Sequence, residues 1–187
     1  MPQRLLGNLT KIAGERYGFD GYFYVQDLNT SSYAYKVLFT PLGSSASGCR
    51  DILEAELGCE LVGLHLEMKF YLSEDATDGM IDFSTPKEMG FKPLSMASMT
   101  ELGLGLALSI REIQAQIRPN GIAALVLDER PQLKDFYRRL YRKHAAILGE
   151  YGYKPQIYLG GQGYAVFEEG FAASVIERTQ GAQGSGR

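Results

Sequence analysis

Apolar residues in the second half of the chain recur at the spacing of an α-helix. Five of them are separated by four or three positions: Leu102, Leu106, Ile110, Ile113 and Ile117. Side chains at this spacing share one face of a helix, so we predict an amphipathic helix over residues 102–117. The sequence Pro119-Asn120-Gly121 then ends it.

A nearly all-apolar run at residues 122–128 follows this helix and indicates a strand buried on both faces. Pro131 suits the first turn of a second helix. The inner face of that helix would carry Leu133, Phe136, Tyr137, Leu140, Tyr141, His144 and Leu148. Residues 154–171 have the pattern of two short strands around a glycine turn, so they predict a closing hairpin.

The first half of the chain indicates strands. Aromatic and β-branched residues dominate segments 21–28 and 32–41, which flank a polar turn and predict an antiparallel hairpin. Residues 49–57 predict a short helix, and residues 60–72 alternate as a strand with one buried face does. Three further segments are shorter: residues 5–13 are compatible with a short helix, and residues 80–84 and 91–99 with short strands.

This order of elements predicts one α/β domain over residues 1–177, in which helices flank a mixed, mostly antiparallel central sheet. The polar, glycine-rich residues 178–187 predict a disordered tail. The apolar segment YFYV at residues 22–25 would allow pairing with a second subunit, and hence a homodimer, if it lay at an edge of the sheet.

Composition narrows the classes of function. The 187 residues are 45% hydrophobic and 22% charged, which is enough for a soluble domain with a core. A net charge of −3 argues against a nucleic-acid partner, because phosphate binding needs a basic surplus. No apolar run approaches the roughly 20 residues of a membrane span, and the start of the chain lacks a signal peptide's apolar core. We therefore expect a cytoplasmic protein without a membrane partner. Two cysteines and two histidines make a structural zinc site improbable, so no metal is expected.

Gly103 and Gly105 lie close to the expected start of the first helix, although glycine is a poor residue inside helices. One interpretation is that small residues let the helix pack closely on a neighbour. The other places them in the first turn, where free backbone N–H groups bind phosphate. The amides around Leu104, Gly105 and Leu106 would then approach a pyrophosphate without a side chain in the way.

The segment T-E-L-G-L-G-L-A-L, residues 100–108, resembles the acetyl-CoA motif of the GNAT superfamily of N-acetyltransferases. That motif reads Gln/Arg-x-x-Gly-x-Gly/Ala before an apolar helix, and Thr100 stands here at its Gln/Arg position. The resemblance implies an acyl-CoA N-acyltransferase-like fold and acetyl-CoA (CoA) as the cofactor. The residues that it implies for cofactor binding are Thr100, Leu102, Gly103, Leu104, Gly105 and Leu106.

The next two elements are also similar to that superfamily, in which a buried strand leads to a helix beginning Asn-x-x-Ala-x-x-Leu-Tyr. Here R-P-Q-L-K-D-F-Y follows the apolar run, with Phe136-Tyr137 at the Leu-Tyr pair. The resemblance implies that Tyr137 is the acid that protonates the sulfur of CoA after an amine attacks the thioester directly. On its helical spacing alone Tyr137 is a core residue, and Tyr141, one turn later, is a second candidate for the acid.

The amine must also lose a proton, so a base is needed. Glu67 alternates with Leu66 and Met68 along the strand at residues 60–72, on the same side as His65 and Lys69. If that side lines a cleft, Glu67 is a suitable base, directly or through water. If it faces solvent, Glu67 belongs to the polar side of a strand. Asp82 is a further candidate.

A basic run of Arg138, Arg139, Arg142 and Lys143 lies on the second helix. It is either a solvated face or a contact for the 3′-phosphate of CoA or an acidic partner. The leading hypothesis is an acetyl-CoA-dependent N-acyltransferase acting on a small-molecule or protein amine. The alternatives are a non-catalytic GNAT-like binding or regulatory protein, and an unrelated α/β protein in which the glycines serve packing.

Overall fold

A computed structural model describes residues 5–17, 20–44, 50–57, 60–75, 83–125, 132–149, 153–159 and 163–168. The strands in these residues are β1 (Leu6–Ala13), β2 (Tyr22–Asn29), β3 (Ala34–Pro41), β4 (His65–Leu72), β5 (Gly121–Leu125), β6 (Tyr153–Leu159) and β7 (Gly163–Glu168). The α-helices are α1 (Arg50–Leu57), α2 (Met96–Ile117) and α3 (Gln132–Gly149).

The seven described strands form one sheet in the order β1-β2-β3-β4-β5-β7-β6. All neighbouring strands in it are antiparallel except β4 and β5, which run parallel. Helix α2 lies between these two in the chain, because parallel neighbours need a crossover connection. The prediction of a mixed, mostly antiparallel sheet with helices is thereby confirmed.

The parallel ladder between β4 and β5 is short. It pairs His65–Glu67 with Gly121–Ala123, and Glu67 and Ala123 are its last pair. Beyond that point β4 continues beside β3, and β5 continues beside β7. The two strands therefore part at their carboxyl ends, which is where open α/β sheets bind ligands.

Helices α2 and α3 pack on one another and form the main core with one face of the sheet. That face carries alternate residues of the central strands: Tyr24, Leu28, Val37, Phe39, Leu66, Met68 and Ile122. Gly105 allows α2 to approach β2 closely, because a Cβ at this position would lie 2.1 Å from Cδ1 of Leu28. The opposite face is covered near the start of β4, where His65 and Glu67 are both buried.

Several boundaries differ from the predictions. Residues 6–13 form the strand β1 rather than a helix, and YFYV lies in β2, which has β1 and β3 on its two sides, so it is not an edge. Residues 91–99 are not a strand, because α2 already begins at Met96 within them. For the strand expected at 80–84, residues 80–82 lie outside the described part, and the last two residues are not in a strand.

The early start of α2 has a local cause. Ser95 has an extended backbone, and its Oγ accepts a hydrogen bond from the N–H of Ser98 at 3.1 Å. This is the geometry of a serine N-cap, which satisfies one of the free amides of the first turn. Pro93 two residues earlier favours extended chain before the cap. The other end of α2 closes at Arg118, which has a left-handed backbone with φ 53°.

Candidate functional site

The glycine pair lies in the interior of α2. Because the helix begins at Met96, Gly103 and Gly105 are its eighth and tenth residues, and the prediction that they occupy the first turn is wrong. The N–H groups of Leu104, Gly105 and Leu106 consequently point along the helix to carbonyls one turn earlier. Their amides are not available to a pyrophosphate.

The six residues implied for cofactor binding divide into two groups. Leu102, Gly105 and Leu106 are buried, with the two leucines in the main core, and Leu104 is half-buried. Thr100 and Gly103 instead line a cavity of about 690 Å³ between α2 and α3. Of the six, Thr100 and Gly103 therefore face this cavity.

We call this space the α2–α3 cavity. Its lining is Met96, Met99, Thr100, Gly103, Asp135, Phe136, Arg139, Leu140, Arg142, Lys143 and His144. The lining contains three cations, Arg139, Arg142 and Lys143, and one carboxylate, Asp135. This excess of positive charge favours an anionic ligand. Lys143 reaches across it, with its Nζ 3.2 Å from Oγ1 of Thr100. The basic run of α3 is therefore partly a cavity wall rather than only a solvated face.

His144 occupies an unusual place in this wall. It is 8% exposed, and its backbone departs from helical values with φ −117° and ψ 17°, which marks a kink in α3. Burial lowers the pKa of His144, and the positive charge of Lys143 lowers it further. The imidazole therefore stays neutral at pH 7 in the folded protein.

Glu67 is buried and does not face solvent. Its side chain is 1% exposed, and Oε1 lies 3.1 Å from Nζ of Lys69, which is 40% exposed. Among the two interpretations of the β4 pattern, the structure excludes the solvated one. A buried carboxylate is costly unless a cation or hydrogen bonds compensate it, and Lys69 supplies such a cation.

Tyr137 lies close enough to Glu67 to be affected by its charge. Burial raises the pKa of the Tyr137 hydroxyl, and the negative charge of Glu67 raises it further. The ring packs at steep angles against Phe136, 5.6 Å between centroids, and Phe70, 6.4 Å. Tyr137 belongs to the core on the face that α2 and α3 cover, whereas Glu67 alternates with Leu66 and Met68 and lies on the opposite face of β4. The two residues that the sequence suggested as acid and base therefore interact through charge and not through a direct contact.

The remaining candidates lie elsewhere. His65 is 3% exposed, and burial lowers its pKa. Tyr141 is half-buried, and burial raises its pKa. Asp82 lies outside the described residues. The cavity is also lined by Met96, Met99 and His144, which the sequence did not suggest as site residues. Ser95 as an N-cap was the local signal that could have placed Met96 and Met99 in the first turns of the helix.

No family model, curated protein or solved structure matches this chain. Among the described residues, none of the helices has the length and apolar character needed to cross a membrane.

Proposed function

We propose that this protein is an acyl-CoA-dependent N-acyltransferase with an acyl-CoA N-acyltransferase-like fold, which transfers an acetyl group from acetyl-CoA to an amine. The observation that carries the proposal is the electrostatic interaction of Glu67, which lies in the last pair of the short β4–β5 ladder, with the hydroxyl of Tyr137. A buried carboxylate and a buried phenol that interact through charge would provide a proton acceptor and a proton donor for one reaction. A substrate would reach the pair from the point where the two strands part.

The α2–α3 cavity fits the donor. CoA combines an adenine and an extended pantetheine arm with three phosphate groups. The lining offers apolar contact from Met96, Met99 and Phe136 and positive charge from Arg139, Arg142 and Lys143. The N–H groups of Met96 and Ala97 have no partner within α2 because they open the helix, so they replace those of residues 104–106 as pyrophosphate ligands.

The thioester supplies an acyl carbon that an amine nitrogen attacks directly, with the thiolate as leaving group. Glu67 would accept a proton from the acceptor's ammonium, because only the neutral amine is a nucleophile. Tyr137 would donate a proton to the departing sulfur, and its raised pKa keeps the phenol protonated until then. Of the two protons that the ammonium loses, one leaves through Glu67 and the other restores the Tyr137 hydroxyl.

A thiol-release assay tests this proposal. Purified protein is mixed with acetyl-CoA and a panel of amines, and free CoA is measured against time for wild type and Glu67→Gln. Wild type should release thiol in an amine-dependent way, and the variant should lose at least about a hundredfold in rate, the usual contribution of a general base. Equal rates for the two proteins would contradict the assignment of Glu67.

One observation favours the second candidate, a non-catalytic binding protein of the same fold. The proposed base is already engaged by a cation, because Nζ of Lys69 lies 3.1 Å from Oε1 of Glu67. In that case acetyl-CoA would bind with the same affinity to wild type and to Glu67→Gln, and no amine would increase thiol release from either. The same assay, combined with a binding titration, separates the two functions.

A further inference from the structure

We infer that the acceptor is a zwitterion, an amine that carries a carboxylate on a neighbouring carbon as α-amino acids do, with its ammonium on Glu67 and its carboxylate on Lys69. This inference rests on the proposed function, because it concerns the acceptor of the same site. It names a substrate class that the glycine motif and the cavity leave open.

The argument begins with the charge on Glu67. The carboxylate is 1% exposed and its Oε1 is held by Lys69 at 3.1 Å, whereas Lys69 is 40% exposed. One partner of this pair is thus fixed in the protein, and the other reaches outward on a flexible stem. An acceptor that approaches from solvent meets Lys69 before it reaches Glu67.

Charge balance then selects among acceptors. A simple ammonium that displaced Lys69 from Glu67 would leave two positive charges side by side with one negative charge. A polyamine would bring still more positive charge. A zwitterion can replace Lys69 at Glu67 without leaving an unpaired positive charge. Its ammonium takes the place of Nζ on Glu67, and its carboxylate pairs with the released Nζ. Both interactions are charge-assisted hydrogen bonds, which are stronger than neutral ones.

The neighbouring cation on the same face of the sheet is already paired. Lys36 on β3 lies opposite Tyr71 of β4. Tyr71 comes two residues after Lys69, so the side chains of Lys36 and Lys69 lie on the same face of the sheet. Nζ of Lys36 is 2.7 Å from Oδ1 of Asp27 on β2. Nζ of Lys69 pairs instead with the buried Glu67 and lies 5.8 Å from the ring centroid of Phe83, so an aromatic ring adjoins the position proposed for the acceptor's carboxylate.

Three matched acceptors test the inference: leucine, leucinamide and 3-methylbutylamine, which share a side chain and differ in the carboxylate. Each is titrated into the protein without CoA and is then assayed for thiol release with acetyl-CoA. Wild type should favour leucine over the other two by about twofold to fivefold, the range that a partly exposed charge pair allows. Equal or reversed preference in wild type would overturn the inference.

Variants assign the preference to Lys69. Lys69→Arg should keep it, and the double variant Glu67→Gln/Lys69→Met, which leaves no buried unpaired charge, should bind the three ligands alike. Lys36→Met is the matched control and should keep the preference of wild type. Undiminished preference in the double variant would overturn the inference. Lys69-dependent binding of leucine without any thiol release would support this ligand class and reject the proposed function. Failure of the inference can therefore be told apart from failure of the proposed function.

Discussion

Gly105 of α2 lies directly against Leu28 of β2, so closely that a Cβ at position 105 would be 2.1 Å from Cδ1 and 3.0 Å from Cδ2 of the leucine. Leu28 is fully buried, so its side chain would have to repack within the core to accept a Cβ at position 105. The smallest residue is thus needed for helix–sheet contact at this point. Of the two interpretations of the glycine pair, packing is the one that applies to Gly105.

Replacing this glycine should destabilise the protein. Gly105→Ala gains up to about 1 kcal/mol from helix propensity, but overpacking a filled core costs about 1–3 kcal/mol. We expect a net loss in the free energy of unfolding, measured by urea denaturation. Gly103→Ala is the matched control: its Cβ would be 3.7 Å from Nε2 of His144, an ordinary contact, so it should be neutral or stabilising. Equal stability of Gly105→Ala and wild type would contradict this packing.

Removing one hydroxyl tests the acid. Tyr137→Phe keeps the ring that packs on Phe70 and Phe136, so acetyl-CoA should bind as in wild type. The rate of thiol release should fall by about a hundredfold, since proton transfer to the leaving group contributes on that order. Tyr141→Phe serves as the control and should keep the wild-type rate. If the Tyr141 variant were slow and the Tyr137 variant normal, the two assignments would be exchanged.

His144 should make stability depend on pH. Burial and the charge of Lys143 lower the pKa of His144 in the folded protein. At pH values near and below about 6.5, the ordinary histidine pKa, the unfolded chain therefore binds more protons than the folded protein does. The free energy of unfolding should therefore decrease as the pH falls below 6.5 and level off once the folded histidine is protonated. His144→Gln should reduce this slope, with His65, whose pKa is also lowered, accounting for part of the remainder. An unchanged slope in the variant would show that His144 does not titrate in this range.

Local pattern predicted much of the fold. The hairpin of β2 and β3, the strand β4, the buried strand β5 and the inner face of α3 all follow from periodicity. The start of α2 was missed because residues 91–99 were interpreted as a strand and the apolar spacing that predicted the helix begins only at Leu102. The cap at Ser95 determines that boundary, and it depends on a single hydrogen bond.

The site was harder to predict, because it is assembled from distant segments. Alternation along β4 placed Glu67 opposite Leu66, but it could not decide whether other elements cover that face. The electrostatic interaction of Glu67 with Tyr137 depends on the position of Glu67 in β4 and on the packing of α3. The α2–α3 cavity likewise arises only when the first turns of α2 meet the middle of α3.

A calorimetric titration with acetyl-CoA tests the central claim most directly. Three proteins are compared: wild type, Thr100→Glu, which places a negative charge on the cavity wall beside Lys143, and Gln116→Glu, which adds the same charge at the far end of α2. Wild type and Gln116→Glu should bind alike, and Thr100→Glu should bind at least about tenfold more weakly. Absence of binding to wild type, or equal affinity of all three proteins, would contradict a CoA site between α2 and α3.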